Sequence, residues 1–272
     1  MRRRFERDPN TGLLLPDPSI WAPRAPARGV LGMRRGGFGG GGTPPPTFAL
    51  AQAAHTSNFD AQDPLSPQPQ LTGVTAGHSL IFIIGTTGDS NPGTQVPVPT
   101  DSAGQAWSTA VRPVATGNVG GIDAVATAIF YLLNANAGTH TLSVDFGAQN
   151  YGNFTFLEAN LQFTGFDQSA SNNANNDTSP GSTGTTPATT VNDEVSFVLW
   201  VTNTTGSGLG NSNFSLPANY TNLYVEQATN AHTGARHAWR QLSATGTQSA
   251  SITWDAGAMT AWQAAIATFK LT

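Results

Sequence analysis

The chain has 272 residues, of which 10% are charged and 38% hydrophobic, with 30 glycines, 18 prolines and no cysteine. An average soluble domain carries about 25% charged residues, so this composition argues against a helical bundle, a coiled coil and a typical cytosolic α/β enzyme. Without cysteine there is no disulfide framework, thiolate metal site or Cys nucleophile, and no apolar run approaches the ~20 residues that span a bilayer, so no membrane contact is expected.

The net charge of −4 hides two unlike parts. Residues 1–35 hold eight of the twelve basic residues (Arg2, Arg3, Arg4, Arg7, Arg24, Arg28, Arg34 and Arg35) against Glu6, Asp8 and Asp17. Every basic residue of this stretch is Arg, and Lys270 is the only lysine in the chain. Arginine presents a planar fork of donors that suits carboxylates and backbone carbonyls. A basic arm can also bind nucleic acid, but Phe5, Trp21 and Phe38 stand too far apart to form a base-stacking platform. Nucleic acid is therefore not the expected partner. Leu13-Leu14-Leu15 is too short for the apolar core of a signal peptide, and Pro16, Pro18, Pro23 and Pro26 block a helix. A Gly-rich run at 36–42 and Thr43-Pro44-Pro45-Pro46 follow, flexible and then stiff, as in a linker. Residues 1–50 thus read as an extended basic Pro/Gly/Arg-rich arm and residues 51–73 as a linker, with the folded body at 74–272.

From residue 74 onward, apolar runs of strand length alternate with Gly/Asn/Ser/Thr turns. The expected strands are 79–85, 106–114, 125–133, 139–146 and 154–164. After a polar loop come 195–202, 220–227, 235–242, 249–254 and 261–271. Leu80-Ile81-Phe82-Ile83-Ile84 is apolar throughout, as in a strand covered on both faces. The two series agree in order and character. Leu80 through Ile84 aligns with Phe197 through Val201, Trp107 with Tyr220, and Tyr131 with Trp239. Gly138-Thr139 aligns with Gly246-Thr247, and Thr155-Phe156-Leu157 with Thr260-Ala261-Trp262. We read this as an internal repeat, at about 74–166 and about 190–272, joined by a loop at 167–189. Neither copy can cover both faces of its own sheet, so the expected fold is all-β: a two-sheet, jelly-roll-like β-sandwich built from the two repeats. Its expected core is Leu80, Phe82, Trp107, Phe130, Leu132, Val144, Phe146, Phe156, Leu161, Val198, Trp200, Trp239, Ile252, Trp254, Trp262 and Ile266.

No catalytic constellation stands out. The histidines, His55, His78, His140, His232 and His237, form no zinc-like spacing, and His232 and His237 read as surface residues. No Gly-x-Ser-x-Gly elbow is present. Glu158 and Glu194 are the most placeable glutamates of the body, and nothing in the sequence pairs either with the second carboxylate that a glycosidase requires. Asp89, Asp101 and Asp123 lie in predicted loops without the spacing of a calcium site, and Asp101-Ser102-Ala103-Gly104 reads as a turn in which Asp bonds its own backbone. No catalytic residue, metal or cofactor is expected.

Three segments carry a resemblance. Val74-Thr75-Ala76-Gly77-His78-Ser79-Leu80-Ile81, Asp101-Ser102-Ala103-Gly104-Gln105-Ala106-Trp107 and Ala137-Gly138-Thr139-His140-Thr141-Leu142-Ser143-Val144 together resemble β-sandwich modules of tailed-bacteriophage virion proteins and of some bacterial surface proteins. The likeness covers about 74–166, with a degenerate copy over 190–271. Here Gly77-His78 stands for the usual Gly-Asp, and Gln105 for Asn. The resemblance implies a non-enzymatic virion structural protein, such as a capsid decoration, head fibre or tail-fibre module. Such a protein is assembled in the host cytoplasm, carried on the extracellular particle, and bound to other capsid or tail proteins. A homo-oligomer is expected, with a trimer among the open states. On this reading Arg2, Arg3, Arg4, Arg7, Arg34 and Arg35 pair with acidic groups of a neighbour. Phe5, Leu13, Leu14, Leu15, Ile20 and Trp21 fill its apolar pockets. The alternative is a receptor- or glycan-binding module of a phage tail or bacterial surface. It would recognise a host surface glycan through end loops, with Tyr151, Tyr220 or Trp262 as stacking platforms.

Overall fold

The computed structural model describes residues 5–7, 14–16, 46–61, 68–88, 95–117, 124–146, 150–174, 181–204, 215–226, 233–254 and 259–271. The chain divides into two compact units, Met1–Thr43 and Pro44–Thr272. In the first, β1 (Phe5–Arg7) pairs antiparallel with β2 (Leu14–Pro16).

The second unit is all-β among its described residues. One five-stranded antiparallel sheet has the order β3 (Leu50–Ala61), β10 (Asn150–Ala159), β5 (Leu80–Gly88), β8 (Ala124–Leu132), β7 (Ser108–Val111). The other has the order β11 (Gly165–Ala174), β17 (Met259–Lys270), β13 (Glu194–Thr204), β15 (Thr233–Leu242), β14 (Thr221–Glu226). In each sheet the first strand in the chain is an edge and the last lies beside it. Two smaller ladders complete the unit. One is β4 (Gln70–Val74), β9 (Gly138–Ser143) and β6 (Thr100–Asp101), and the other is β12 (Gly181–Ser182) with β16 (Ser251–Ile252).

The two large sheets pack face to face as a β-sandwich, and three apolar clusters result. Alternation along a strand sends successive side chains to opposite faces. Odd-numbered residues of β5 and β13, among them Ile81, Ile83, Phe197 and Leu199, therefore meet between the sheets. Leu80, Phe82 and Ile84 point the other way, onto Leu71, Val74, Leu142 and Val144 of the β4–β9 region. Val198 and Trp200 likewise face Ile252, Trp254 and Trp262. The inter-sheet core is graded along its length. One end is aromatic, with Phe48, Phe163, Phe197, Phe269 and Trp239 in mutual ring contact. The other end is polar, with Thr127, Asn153, Thr155, His237 and Gln263 all buried.

All ten expected strand regions contain strand. The stretch 51–73, read as linker, instead holds most of β3 and most of β4, and the arm's expected boundary at 50 falls inside the body. Phe48 is only 3% exposed and sits in the inter-sheet core, while the Gln241 side chain accepts from its N–H and donates to the Pro46 carbonyl. The stretch read as the loop 167–189 holds most of β11 and all of β12. β3 and β11 are edge strands with small polar residues and little burial, so they lack the apolar signature of a central strand. The ladders do not keep the alignment of the two halves. Ile81 lies opposite Leu157 and Tyr131, and Phe197 lies opposite Ala267 and Trp239. The alignment sets Leu80 with Phe197 and Leu157 with Trp262, whereas Leu80 lies opposite Leu132 and Trp262 opposite Thr202. Gly138 and Gly246, aligned by sequence, both have positive φ (124° and 151°), which glycine alone adopts readily.

Candidate functional site

Of the expected partner-binding residues, Arg2, Arg3, Arg4, Leu13, Ile20, Trp21, Arg34 and Arg35 lie outside the described residues, and so do Asp89, Asp123 and His232. Phe5, Arg7, Leu14 and Leu15 fall on the β1–β2 pair.

The segments that carry the resemblance form hydrogen-bonded locks within the body. Asp101 Oδ1 accepts from the Ala103 N–H at 2.9 Å, closing the expected turn. Its Oδ2 lies 2.7 Å from His140 Nδ1 and accepts from Trp107 Nε1 at 3.3 Å. The other ring nitrogen of His140 is 3.0 Å from the Asn136 carbonyl. Both oxygens of Asp101 thus serve protein donors. His78 is tied to Glu158. Its Nδ1 is 2.7 Å from Glu158 Oε1, which also accepts from the Thr75 N–H at 2.9 Å, and Gln52 donates to Oε2 at 2.6 Å. An Asp at 78 would set a second carboxylate against Glu158. Burial alone would raise the Glu158 pKa; the donors from Gln52, Thr75 and His78 outweigh it and hold the carboxyl below its usual value.

A charged cluster was not legible in the sequence. Asp167, where β11 slips register between Phe166 and Ser169, meets Lys270 at the end of β17 and Glu194 at the start of β13. Lys270 Nζ is 3.2 Å from Asp167 Oδ1. Thr190 donates its N–H to Oδ2 at 2.7 Å and its hydroxyl to Oδ1 at 2.8 Å. The side chain of Asp167 is 3% exposed and Glu194 is 0% exposed. No well-aligned hydrogen bond serves either Glu194 oxygen, although Asp167, Thr268 and the Val191 backbone lie within its reach. Burial, and then the facing Asp167, push the Glu194 carboxyl up to about 7. Burial would also raise Asp167, but donation from Glu194, Thr190 and Lys270 holds it below the ordinary range. Glu194 therefore does have a second carboxylate, contrary to the sequence reading. The partner lies in the stretch read as loop, and an unrecognised strand brings it there.

His237, expected on the surface, is wholly buried between the sheets. Its Nδ1 lies 2.9 Å from Thr155 Oγ1, and its Nε2 meets no partner. Burial, with a smaller contribution from His55, depresses its pKa to about 3. Trp262 is 4% exposed and packs edge-on against Trp254, so it offers no stacking platform. Tyr220 is covered by the Arg240 guanidinium, 4.9 Å above its ring; the side chain of Tyr151 lies outside the described residues. Arg240 and Gln248 instead line a polar groove of about 500 Å3 together with Asn219, Thr221 and the 243–247 turn. No group of three or more His, Asp or Glu stands where it could hold a metal ion among the described residues.

No protein-family model matches the chain, and neither a curated protein nor a solved structure is similar to it.

Proposed function

We propose that the protein is a non-enzymatic structural component of a bacteriophage-like particle. Its Arg-rich N-terminal arm docks on neighbouring virion proteins, and its β-sandwich is carried outward, as in a capsid decoration or head fibre. The observation that carries this reading is the coincidence of two boundaries. The chain separates into compact units at 43/44, and eight of its twelve basic residues fall on the arm side of that division. Among the described residues the body's apolar clusters draw their members from Phe48 onward, which supports a body with a core of its own. An arm that orders on a neighbour loses chain entropy, and repetition of the contact on a symmetric shell offsets a weak single-site affinity.

Deletion of residues 1–43 is expected to leave the body folded and to abolish incorporation into particles; retained incorporation would sink the anchoring claim. Immunogold microscopy with antibody against residues 74–272 places the protein. Label over the head supports decoration, label at the tail tip moves the reading to host recognition, and absence of label from particles overturns the virion reading. The polar groove beside Arg240 favours one second reading, a glycan- or receptor-binding module. A glycan array scored against an Arg240→Ala control tests it, and an array without hits speaks against it.

A further inference from the structure

We propose that Lys270 and Asp167 become joined by an amide bond between Nζ and Cγ, with Glu194 moving the protons, so that the mature chain carries a covalent cross-link between β11 and β17. The inference stands on the body alone and is independent of the virion reading.

Three observations carry it. The first is placement. Nζ of Lys270 is 3.2 Å from Oδ1, an oxygen bonded to the carbon it would attack, so the two groups are held side by side and the reaction is intramolecular. The second is the choice of residue. Lys270 is the only lysine in the chain, and every other basic residue is arginine. Arginine makes the better fork to a carboxylate, but it stays charged and cannot act as an amine nucleophile. A lysine at this one position adds reactivity that an ion pair does not use. The third is the surroundings. The side chains of Asp167 and Glu194 are withdrawn from water. Thr190 meanwhile aims an N–H at Oδ2 and a hydroxyl at Oδ1, as donors to the oxyanion of a tetrahedral intermediate. The Glu194 carboxyl keeps its proton to near neutrality, which suits it to proton transfer at that pH.

The step balances without a co-reactant. Proton transfer within the ion pair gives the amine and the carboxylic acid. The amine lone pair forms the N–C bond, and the Cγ–O bond breaks. The departing oxygen leaves as water, taking a proton from Glu194, and Glu194 recovers a proton from the nitrogen.

Intact mass spectrometry of the full chain tests the proposal, with Lys270→Arg as reference after allowance for the substitution. The wild type is expected to be lighter by one water, and fragmentation after proteolysis to give a branched peptide joining residues 167 and 270. In Glu194→Gln, the cross-linked fraction at a fixed early time is expected to fall about tenfold or more. A wild-type chain that keeps its full mass after prolonged incubation at neutral pH makes Lys270 and Asp167 an ion pair only and overturns the proposal. Loss of water from Lys270→Arg as well overturns it too, because the reaction then lies elsewhere. Unchanged formation in Glu194→Gln removes Glu194 from the reaction.

Discussion

Acid should attack this protein through His237, and a Gln at that position should blunt the attack. The imidazole is fully buried, and one nitrogen meets only Thr155 Oγ1. Burial penalises the charged ring, Nε2 has no acceptor for the added proton among the described residues, and His55 adds a smaller repulsion, so the folded pKa falls to about 3 from the ordinary 6.5. In the unfolded chain the same ring takes its proton near 6.5. The folded pKa is the depressed one, so the stability that His237 contributes is complete above 6.5. It is lost as the pH falls, until the folded state also protonates. Each pH unit in that window costs ~1.4 kcal/mol, or roughly 2–3 kcal/mol between pH 6.5 and 4.5. His237→Gln keeps a polar atom for Thr155 and does not titrate. Urea unfolding at both pH values, with stabilities taken from midpoints and slopes, should show the wild type losing that much more than the variant. Carboxylates such as Glu158 titrate in both proteins and cancel in the difference. Parallel losses in the two proteins would refute the claim that His237 is buried neutral.

Three further outcomes follow from the packing. Gln263→Leu should cost about 2–4 kcal/mol, measured by urea unfolding. Gln263 Oε1 accepts from the Thr127 N–H at 2.7 Å and from the Thr127 hydroxyl at 2.9 Å, and both groups would be left unpaired inside the sandwich. Gly85→Ala should destabilise by about 1–3 kcal/mol, read as a lower melting temperature, because a methyl group there runs into the Val201 side chain of the facing sheet. Glu158→Gln should lower the melting temperature at pH 7 by an amount equivalent to about 1–3 kcal/mol. That gap should close as the pH falls through the lowered pKa of the wild-type carboxyl, since a depressed carboxyl contributes its stability only above that range.

Central strands announced themselves in the sequence, whereas edge strands did not. Leu80 through Ile84 and Phe197 through Val201 are apolar at every position because both faces are covered. That same property hides which face is which. The residues expected to form the core, such as Phe82, Phe156, Val198 and Trp200, mostly face the small outer ladders, and Ile81, Ile83, Leu199 and Phe269 fill the space between the sheets. A run without alternation gives no parity, so the alignment of Leu80 with Phe197 matched residues that face different clusters. β3 and β11 carry Ala, Ser, Thr, Asn and Gln on surfaces that are half solvated, and their composition matches that of a turn. Missing β11 concealed the site: the pairing of β11 with β17 brings Asp167 to Lys270, 103 residues further along the chain, which local pattern cannot reveal. Turn chemistry was more legible. The Asp101 turn and the glycines at 138 and 246 depend on neighbours a few residues away, so their conformation was readable from the sequence.

The route by which the chain leaves one large sheet for the other has its own consequence. All strands of the first large sheet precede all strands of the second, so the chain crosses between them once, from Ala159 to Gly165. That crossing lies at the aromatic end, where Phe163 is buried and Asn160 is tied to Thr47 and Ala49. The sandwich is bound there like a book at its spine, while the opposite margin is held by side-chain bonds such as Thr127–Gln263 and Thr155–His237. Thermal breathing of such a volume begins at the fore-edge. Water arriving there finds Asn153 Nδ2 and His237 Nε2 without partners, so amide exchange should begin around Thr127 and reach Phe197 last.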